Sequence, residues 1–505
     1  MILTDKGLEN KSAWLSKGYK LPEYDRETVR KNTIENPRWI HFGAGNIFRA
    51  FQANVCQNLL NEGVIDTGLI VAEGYDYEIV EKYNRPHDDL SILVTLKADG
   101  TVDKTVVGSI VESCILDEEN EKEIERLREI FRAPSLQIVS FTITEKGYKT
   151  PAYMSKVSRL LYERYLAGSL PIAMVSMDNC SHNGDKLYEA VISFAKQWES
   201  EGICKKGFAD YVSDASKVSF PLSMIDKITP RPDVAIEKLL LEDGVEDLEQ
   251  VVTSKNTYIA PFVNAEETEY LVIEDIFPAG RAQLEKGGII FTDRETVDKT
   301  EKMKVCTCLN PLHTALAVFG CLLGYTSIHE EMDDEHLNKL VHRLGLEEGM
   351  PVVVDPGVIS PMDFIDAVLH KRLPNPFMPD TPQRIACDTS QKLPIRFGET
   401  IKAYRRSDSL STDNLNLVSL VLAGWCRYLQ GIDDMGNKFE LSPDPLLEEL
   451  VGMDPKEILK REDIFAVNLY EDSMAEKILG ILDEMNQGPG SVRKVLGKYV
   501  DTVLA

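Results

Sequence analysis

Short apolar blocks and charged helical stretches alternate over residues 38–300. Arg38 to Phe42 (RWIHF) reads as a strand, and after a glycine-rich turn a helical run continues through Leu60. Leu69 to Ala72 (LIVA) is a second strand. From Ser91 to Ser113 apolar residues alternate on both sides of Asp99-Gly100, which predicts a hairpin. Glu118 to Phe131 has helical spacing with one charged face, and Leu136 to Ile143 (LQIVSFTI) is an uninterrupted apolar strand. Ser155 to Leu166 predicts a helix and Ile172 to Met177 (IAMVSM) a further strand. Strands that lack a polar face and are separated by amphipathic helices predict parallel βαβ units.

The strand pattern fades after Gly288-Ile289-Ile290-Phe291. Residues 300–350, 361–372, 411–431 and 444–500 then follow helical spacing, broken by a proline-rich connection from Leu373 to Pro382 (LPNPFMPDTP). The expected fold class is α/β: a Rossmann-like, doubly wound parallel sheet domain with an N-terminal extension over residues 1–295, followed by a mostly α-helical domain over 296–505. No internal repeat or low-complexity tract is present.

Charge narrows the partners. Across 505 residues, 82 Asp and Glu outnumber 56 Lys and Arg, for a net charge of −26. No basic surplus is available to neutralise phosphates, which argues against nucleic acid or an anionic membrane. Met1 to Lys11 has no apolar core of a signal peptide, and the apolar run Pro311 to Tyr325 is shorter than the roughly 18 residues a membrane span needs. Nine cysteines, an odd number without a CxxC pair, do not form a disulfide framework. A reduced, soluble, cytoplasmic protein is expected.

Three segments carry chemistry. Gly43-Ala44-Gly45-Asn46-Ile47-Phe48-Arg49 follows a strand and opens a helix, where glycines let the backbone approach a pyrophosphate held by helix N–H groups. Phe48 occupies the third glycine position of GxGxxG. The next strand ends in Glu73, whose carboxylate suits a ribose 2′-hydroxyl and repels a 2′-phosphate, so NAD is expected as cofactor over NADP. The second segment, Asp178-Asn179-Cys180-Ser181-His182-Asn183-Gly184, lies at the carboxyl end of a strand, the ligand-binding edge of an open α/β sheet; it reads equally as a polar turn. The third runs from Glu301 to His313. Asn310 before Pro311 predicts a helix with Asn310 as its N-cap, and His313 falls in the first turn, where the helix dipole keeps the ring neutral. Lys304, beside an apolar helix, is expected to be desolvated, which favours the neutral amine a general base requires. Alone, a histidine in an apolar helix such as His313 is more often a satisfied core residue.

Taken together, GAGNIFRA (43–50), TITEKGY (142–148), DNCSHNG (178–184), DKITP (226–230), K…N..H (304–313) and RIACDTSQKLP (384–394) resemble the polyol-specific long-chain dehydrogenase family, which includes mannitol, fructuronate and tagaturonate enzymes. The resemblance covers most of the chain. It implies a zinc-independent, NAD(H)-dependent interconversion of a secondary alcohol and a ketone, with no metal site. It further implies Lys304 as the acid/base, Asn179 and Asn310 as amide donors to the reacting oxygen, and His313 as a substrate-positioning group. Glu301 is implied as a proton relay, and Asp226, Arg384 and Lys392 as substrate-binding groups. The family lysine stands five residues before the asparagine in many members, whereas Lys304 precedes Asn310 by six, so a bulge or modified turn is expected, with Lys302 as the alternative base. Lys227 stands where the family has arginine in its Asp-Arg-Ile-Thr-Pro stretch.

The basic island from His370-Lys371-Arg372 through Arg384 and Lys392 points to a substrate carboxylate, although His370 to Arg372 could equally cap a helix. The run CTCLNPLHTALAVFG is most similar to the fructuronate reductase branch. The expected reaction therefore joins a ketouronate and an aldonate, D-fructuronate and D-mannonate foremost. The alternatives are mannitol or tagaturonate chemistry by the same mechanism, or a non-catalytic NAD-binding sensor. None of the 18 tyrosines has Lys four residues on, which removes the short-chain dehydrogenase mechanism. The acidic cluster His329 to His336 is expected to be a solvated helix start rather than a zinc site. The expected partner is a small sugar acid, and the sequence leaves monomer and small homo-oligomer both open.

Overall fold

The computed structural model describes residues 1–502 and divides into two compact units, Met1–Leu96 with Thr101–Val297 and Lys97–Gly100 with Asp298 onward. In the first unit a six-stranded parallel sheet comprises β1 (Trp39–Phe42), β2 (Leu69–Glu73), β3 (Ile110–Ile115), β4 (Ile138–Phe141), β5 (Ile172–Ser176) and β6 (Val218–Ser219). Its order is β3-β2-β1-β4-β5-β6, the dinucleotide-binding arrangement, with the order reversing beside β1.

Both faces are covered, which is why the strands read as continuous apolar runs. Alternate residues Ile40, Phe42, Ile70, Ala72, Val139 and Phe141 pack under helices α2 (Glu121–Arg132), α3 (Pro151–Leu166) and α4 (Asn183–Glu201). Trp39, Leu69, Val71, Ile138 and Val175 face the other way, against α1 (Ala53–Asn61) and two smaller sheets. At the foot of the large sheet, Arg164 of α3 is wholly buried and donates to the carbonyls of Phe131, Ala133, Leu136, Leu170 and Pro171. The free flank of β3 is closed by side chains: Arg26, Arg30 and Arg85 donate to carbonyls of Gly108, Ile110, Val111 and Ser113.

The hairpin forms between Ser91–Leu96 and Val102–Val107, with Leu96 opposite Val102 and Gly100 at φ +81°. It ends sooner than the alternation suggests, because residues 110–115 leave it to pair with β2. The hairpin belongs to a four-stranded sheet with Tyr19–Lys20 and Phe262–Glu266, while Ser223–Asp226, Tyr270–Glu274 and Ile290–Thr292 make a three-stranded one.

A long helical stretch leads into the second unit: α5 (Arg294–Lys302), a π turn (Met303–Cys308), then α6 (Asn310–Leu323). It contains a window long and apolar enough to cross a bilayer, but 78% of that window is buried inside the protein. α6 is apolar nearly all round and packs against α7 (Asn416–Tyr428), where Gly424 lets the Phe319 ring come close. The buried Glu348 carboxylate caps α7, accepting from the Leu417 and Val418 N–H groups at 2.7 and 2.8 Å. Residues 389–406 are helical although Pro394 reads as a breaker. A π turn over Pro394–Gly398 absorbs the proline, joining Thr389–Leu393 to Glu399–Arg406.

The acidic cluster differs from a solvated helix start at one position. Asp334 does cap the helix Glu335–Arg343, but Glu331 is 0% exposed, neither carboxyl oxygen has a hydrogen-bond partner, and it rests on Gly320. Burial raises its pKa well above the usual range, with the Asp334 charge adding to the effect. The native state therefore holds this proton more tightly than the unfolded chain. Its stabilising effect is complete below the ordinary glutamate pKa and declines as pH rises, by at most about 1.4 kcal/mol per pH unit. Glu331→Gln should be raised in Tm relative to the parent increasingly from mildly acidic to alkaline pH. Parallel Tm–pH curves would refute a buried neutral carboxyl.

Candidate functional site

In the first unit the site grows from the carboxyl ends of β1, β2 and β5. Gly43 adopts φ +106°, and a Cβ there would lie 2.3 Å from the Thr142 carbonyl, so the fold itself demands glycine. Gly45 is different: its φ is not positive and a Cβ would meet nothing within 4 Å. Nothing within 4 Å requires a glycine at this point, so the backbone there is open to close approach by a bound group.

Glu73 holds this turn. One carboxyl oxygen accepts the Ala44 N–H at 2.8 Å, and the other accepts Tyr75 and Asp76 N–H at 2.8 and 3.1 Å. The first oxygen takes only one donor and keeps a lone pair for a ribose hydroxyl. Burial raises the Glu73 pKa against the three N–H bonds. An open glycine and a carboxylate at the strand end fit a dinucleotide.

The rest of the glycine segment contributes less than the sequence suggests. Phe48 is fully buried and stacks on His41 at 4.0 Å, filling the helix–strand contact that a third glycine would otherwise make. Arg49 is 4% exposed and donates to the Ala260 carbonyl and to Asn46 Oδ1 at 2.9 and 3.0 Å. The Phe48 and Arg49 side chains face the interior and the Asn46 carboxamide is engaged by Arg49, so what Asn46, Ile47, Phe48 and Arg49 can offer a ligand comes chiefly from the backbone at the helix start.

DNCSHNG separates into scaffold and exposed parts. Asp178 accepts from the Ile143 and Thr144 N–H groups at 3.0 and 2.8 Å and from the Tyr148 hydroxyl, tying this motif to TITEKGY. Asn183 is buried and spends its amide on the Asp178 carbonyl and on Ser223. Asn179 is the exposed amide of the set. Asp226 ends the strand Ser223–Asp226 and is buried; its neighbour Lys227 pairs with Glu269 at 2.6 Å.

In the second unit the extra residue between Lys304 and Asn310 is absorbed by the π turn. The Leu309 N–H reaches back five residues to the Lys304 carbonyl at 3.1 Å, and a π turn holds one residue more than an α turn. Lys304 is 3% exposed, whereas Lys302 lies on the exposed side. Glu301 sits one turn earlier, half-buried. Asn310 is not the N-cap: Leu309, at φ −129°, precedes the helix, and no side chain caps it, because the chain enters α6 from the π turn rather than from an extended segment. The Asn310 carboxamide is thereby not spent on capping.

His313 lies in the first turn of α6 with Nε2 3.4 Å from Oδ2 of Asp380. Its pKa is pushed down to about 4, so the ring is neutral. Burial is the main cause, rather than the helix dipole; the Asp380 charge opposes it, and Arg396, Arg372 and Arg384 reinforce it. Arg384 lies on the short helix Pro382–Ile385, capped by Thr381, and pairs with Asp380. Lys392 Nζ donates to the Ile385 carbonyl at 3.2 Å and to that of Cys387. Arg396 donates to Thr314 Oγ1, which donates to the Asn310 carbonyl at 3.0 Å. Sequence reasoning passed over Asp380 and Arg396, the first because it lies in a proline-rich connection; its spacing four before Arg384 was the available signal. Among the described residues no group of three or more His, Cys, Asp and Glu side chains is placed to hold a metal ion, and all nine cysteines are free thiols.

A sheet of dinucleotide-binding order followed by a helical unit with a buried lysine defines a long-chain dehydrogenase. Residues 37–286 match the mannitol dehydrogenase Rossmann domain and residues 296–486 the mannitol dehydrogenase C-terminal domain. The chain belongs to the mannitol dehydrogenase family and is an oxidoreductase. D-mannonate oxidoreductase of Thermotoga maritima is 50% identical to it, over 99% of both chains. Mannitol 2-dehydrogenase of Emericella nidulans is 29% identical over 95% of this chain and 96% of its own. Among solved structures, the Pseudomonas fluorescens mannitol 2-dehydrogenase complex with NAD and D-mannitol is similar at 25% identity and a TM-score of 0.70, over the whole of both chains. A substrate-free D-sorbitol dehydrogenase shares the fold at TM-score 0.80 and 23% identity, covering 98% of this chain and 100% of its own.

Proposed function

We propose that the protein uses NAD(H) to interconvert a ketouronate and an aldonate, with D-fructuronate and D-mannonate as the pair. The observation that carries the substrate class is the cationic set about His313: Arg372, Arg384 and Arg396 all act on its ring, with Lys392 beside them, in a chain of net charge −26. A uronate carries a carboxylate that such a concentration of cations would hold. The half-identical D-mannonate oxidoreductase supports the same substrate, and the NAD-bound relative supports the cofactor. A bound nicotinamide supplies or accepts the hydride. Lys304 protonates the ketone oxygen in reduction and takes the alcohol proton in oxidation, with Glu301 relaying protons to it. Asn179 and Asn310 donate to that oxygen as negative charge develops, an effect of about 3 kcal/mol per donor. His313 and Asp226 orient the substrate, and Arg384 and Lys392 hold its far end.

The test is NADH consumption with D-fructuronate, D-tagaturonate and D-fructose in parallel. D-fructuronate should give the highest kcat/KM, and a preference for fructose would overturn the uronate reading. Arg384→Ala should raise KM for the ketouronate by about tenfold or more, the loss of one charge-assisted contact. For fructose the same change should leave KM nearly unaltered. Equal effects on both would remove Arg384 from carboxylate recognition.

A further inference from the structure

We propose that Asp380 is a positioning residue whose single carboxylate orients His313 and Arg384 together, fixing the imidazole as its Nε2–H tautomer. Its two oxygens face different partners: Oδ2 lies 3.4 Å from His313 Nε2, and Oδ1 pairs with the Arg384 guanidinium. The Asp380 side chain is 6% exposed while Arg384 is 61% exposed, so the carboxylate lies inside and the guanidinium reaches outward. The backbone fixes the arrangement: the Asp380 carbonyl accepts the Ile328 N–H at 2.9 Å, and Thr381 caps the helix that carries Arg384. At 3.4 Å the contact is electrostatic rather than a formed hydrogen bond, and it favours a neutral ring that turns an N–H toward the carboxylate, leaving Nδ1 as an acceptor for a substrate hydroxyl. Of the charges that act most strongly on His313, Asp380 is negative and Arg396, Arg372 and Arg384 are positive. Asp380 precedes the helix that carries Arg384 and is buried, so its pairing with Arg384 does not by itself require contact with a histidine. Its second oxygen turned onto His313 joins the cation that grips the substrate's acid group to the ring near its reacting end. This reading of the consequence rests on the substrate roles proposed for His313 and Arg384.

The experiment compares wild type with Asp380→Asn, whose amide oxygen can accept from only one of the two partners. In 15N spectra of histidine-labelled protein, wild-type His313 should show one tautomer with Nε2 protonated, and the variant a mixture or a switch to Nδ1–H. KM for D-fructuronate should rise about tenfold or more while NADH affinity stays within about twofold. An Nδ1–H tautomer in the wild type overturns the proposal without recourse to any variant. So does a variant that keeps both the Nε2–H tautomer and the parental KM. If wild type turns over no ketouronate, the substrate assignment fails, whereas the 15N comparison still decides whether Asp380 sets the ring.

Discussion

Lys304→Ala should lower turnover by about 10²–10⁴-fold, the usual worth of a positioned acid/base. NADH affinity should hardly change, because the dinucleotide features lie in the first unit. Lys304 is one of two lysines the sequence offers, and burial separates them: Lys304 is 3% exposed within the π turn, while Lys302 lies on the exposed side. Lys302→Ala should therefore retain near-parental turnover. A primary amine added to Lys304→Ala should restore part of the rate, since a small base can enter the space the side chain vacates; Lys304→Met should not respond, because it fills that space. Near-parental turnover in Lys304→Ala, with Lys302→Ala inactive, would move the base to Lys302.

Gly45→Val should weaken NADH binding by about a hundredfold, or roughly 3 kcal/mol, while leaving the fold intact. The two glycines of the turn make a controlled comparison. A side chain at Gly43 collides with the Thr142 carbonyl and must adopt a left-handed backbone, so Gly43→Ala should lower Tm as well as binding. Gly45 faces open space, so a larger residue costs the apo protein within about 0.5 kcal/mol and its penalty falls on the ligand. Fluorescence titration with NADH and thermal melts of both variants check this. Unchanged NADH affinity in Gly45→Val would place the pyrophosphate elsewhere.

The large sheet was legible because strands buried on both faces leave uninterrupted apolar runs, and LIVA and IAMVSM could hardly be anything else. The strands at 223–226 (SMID), 262–266 (FVNAE) and 270–274 (YLVIE) are no shorter, but polar residues break or end their apolar runs and their partners are distant in sequence, so local pattern could not reveal them. The helical stretch over 389–406 is absent from the sequence reading, and there the π turn that accommodates Pro394 is set by the surrounding packing. At the candidate site, the motifs do not divide labour among their own residues. In DNCSHNG it is burial in the folded chain that separates the scaffold residues Asp178 and Asn183 from exposed Asn179. Glu331 was misread because acidic composition predicts solvent, whereas its contact with Gly320 comes from helix packing.

The arginines along β3 bear on how the molecule meets its own kind. A parallel sheet with a bare flank invites a neighbouring chain to add another strand. Here guanidinium groups occupy the positions an incoming strand would need. Removing Arg26 and Arg30 would leave those carbonyls without these donors and open to strand addition.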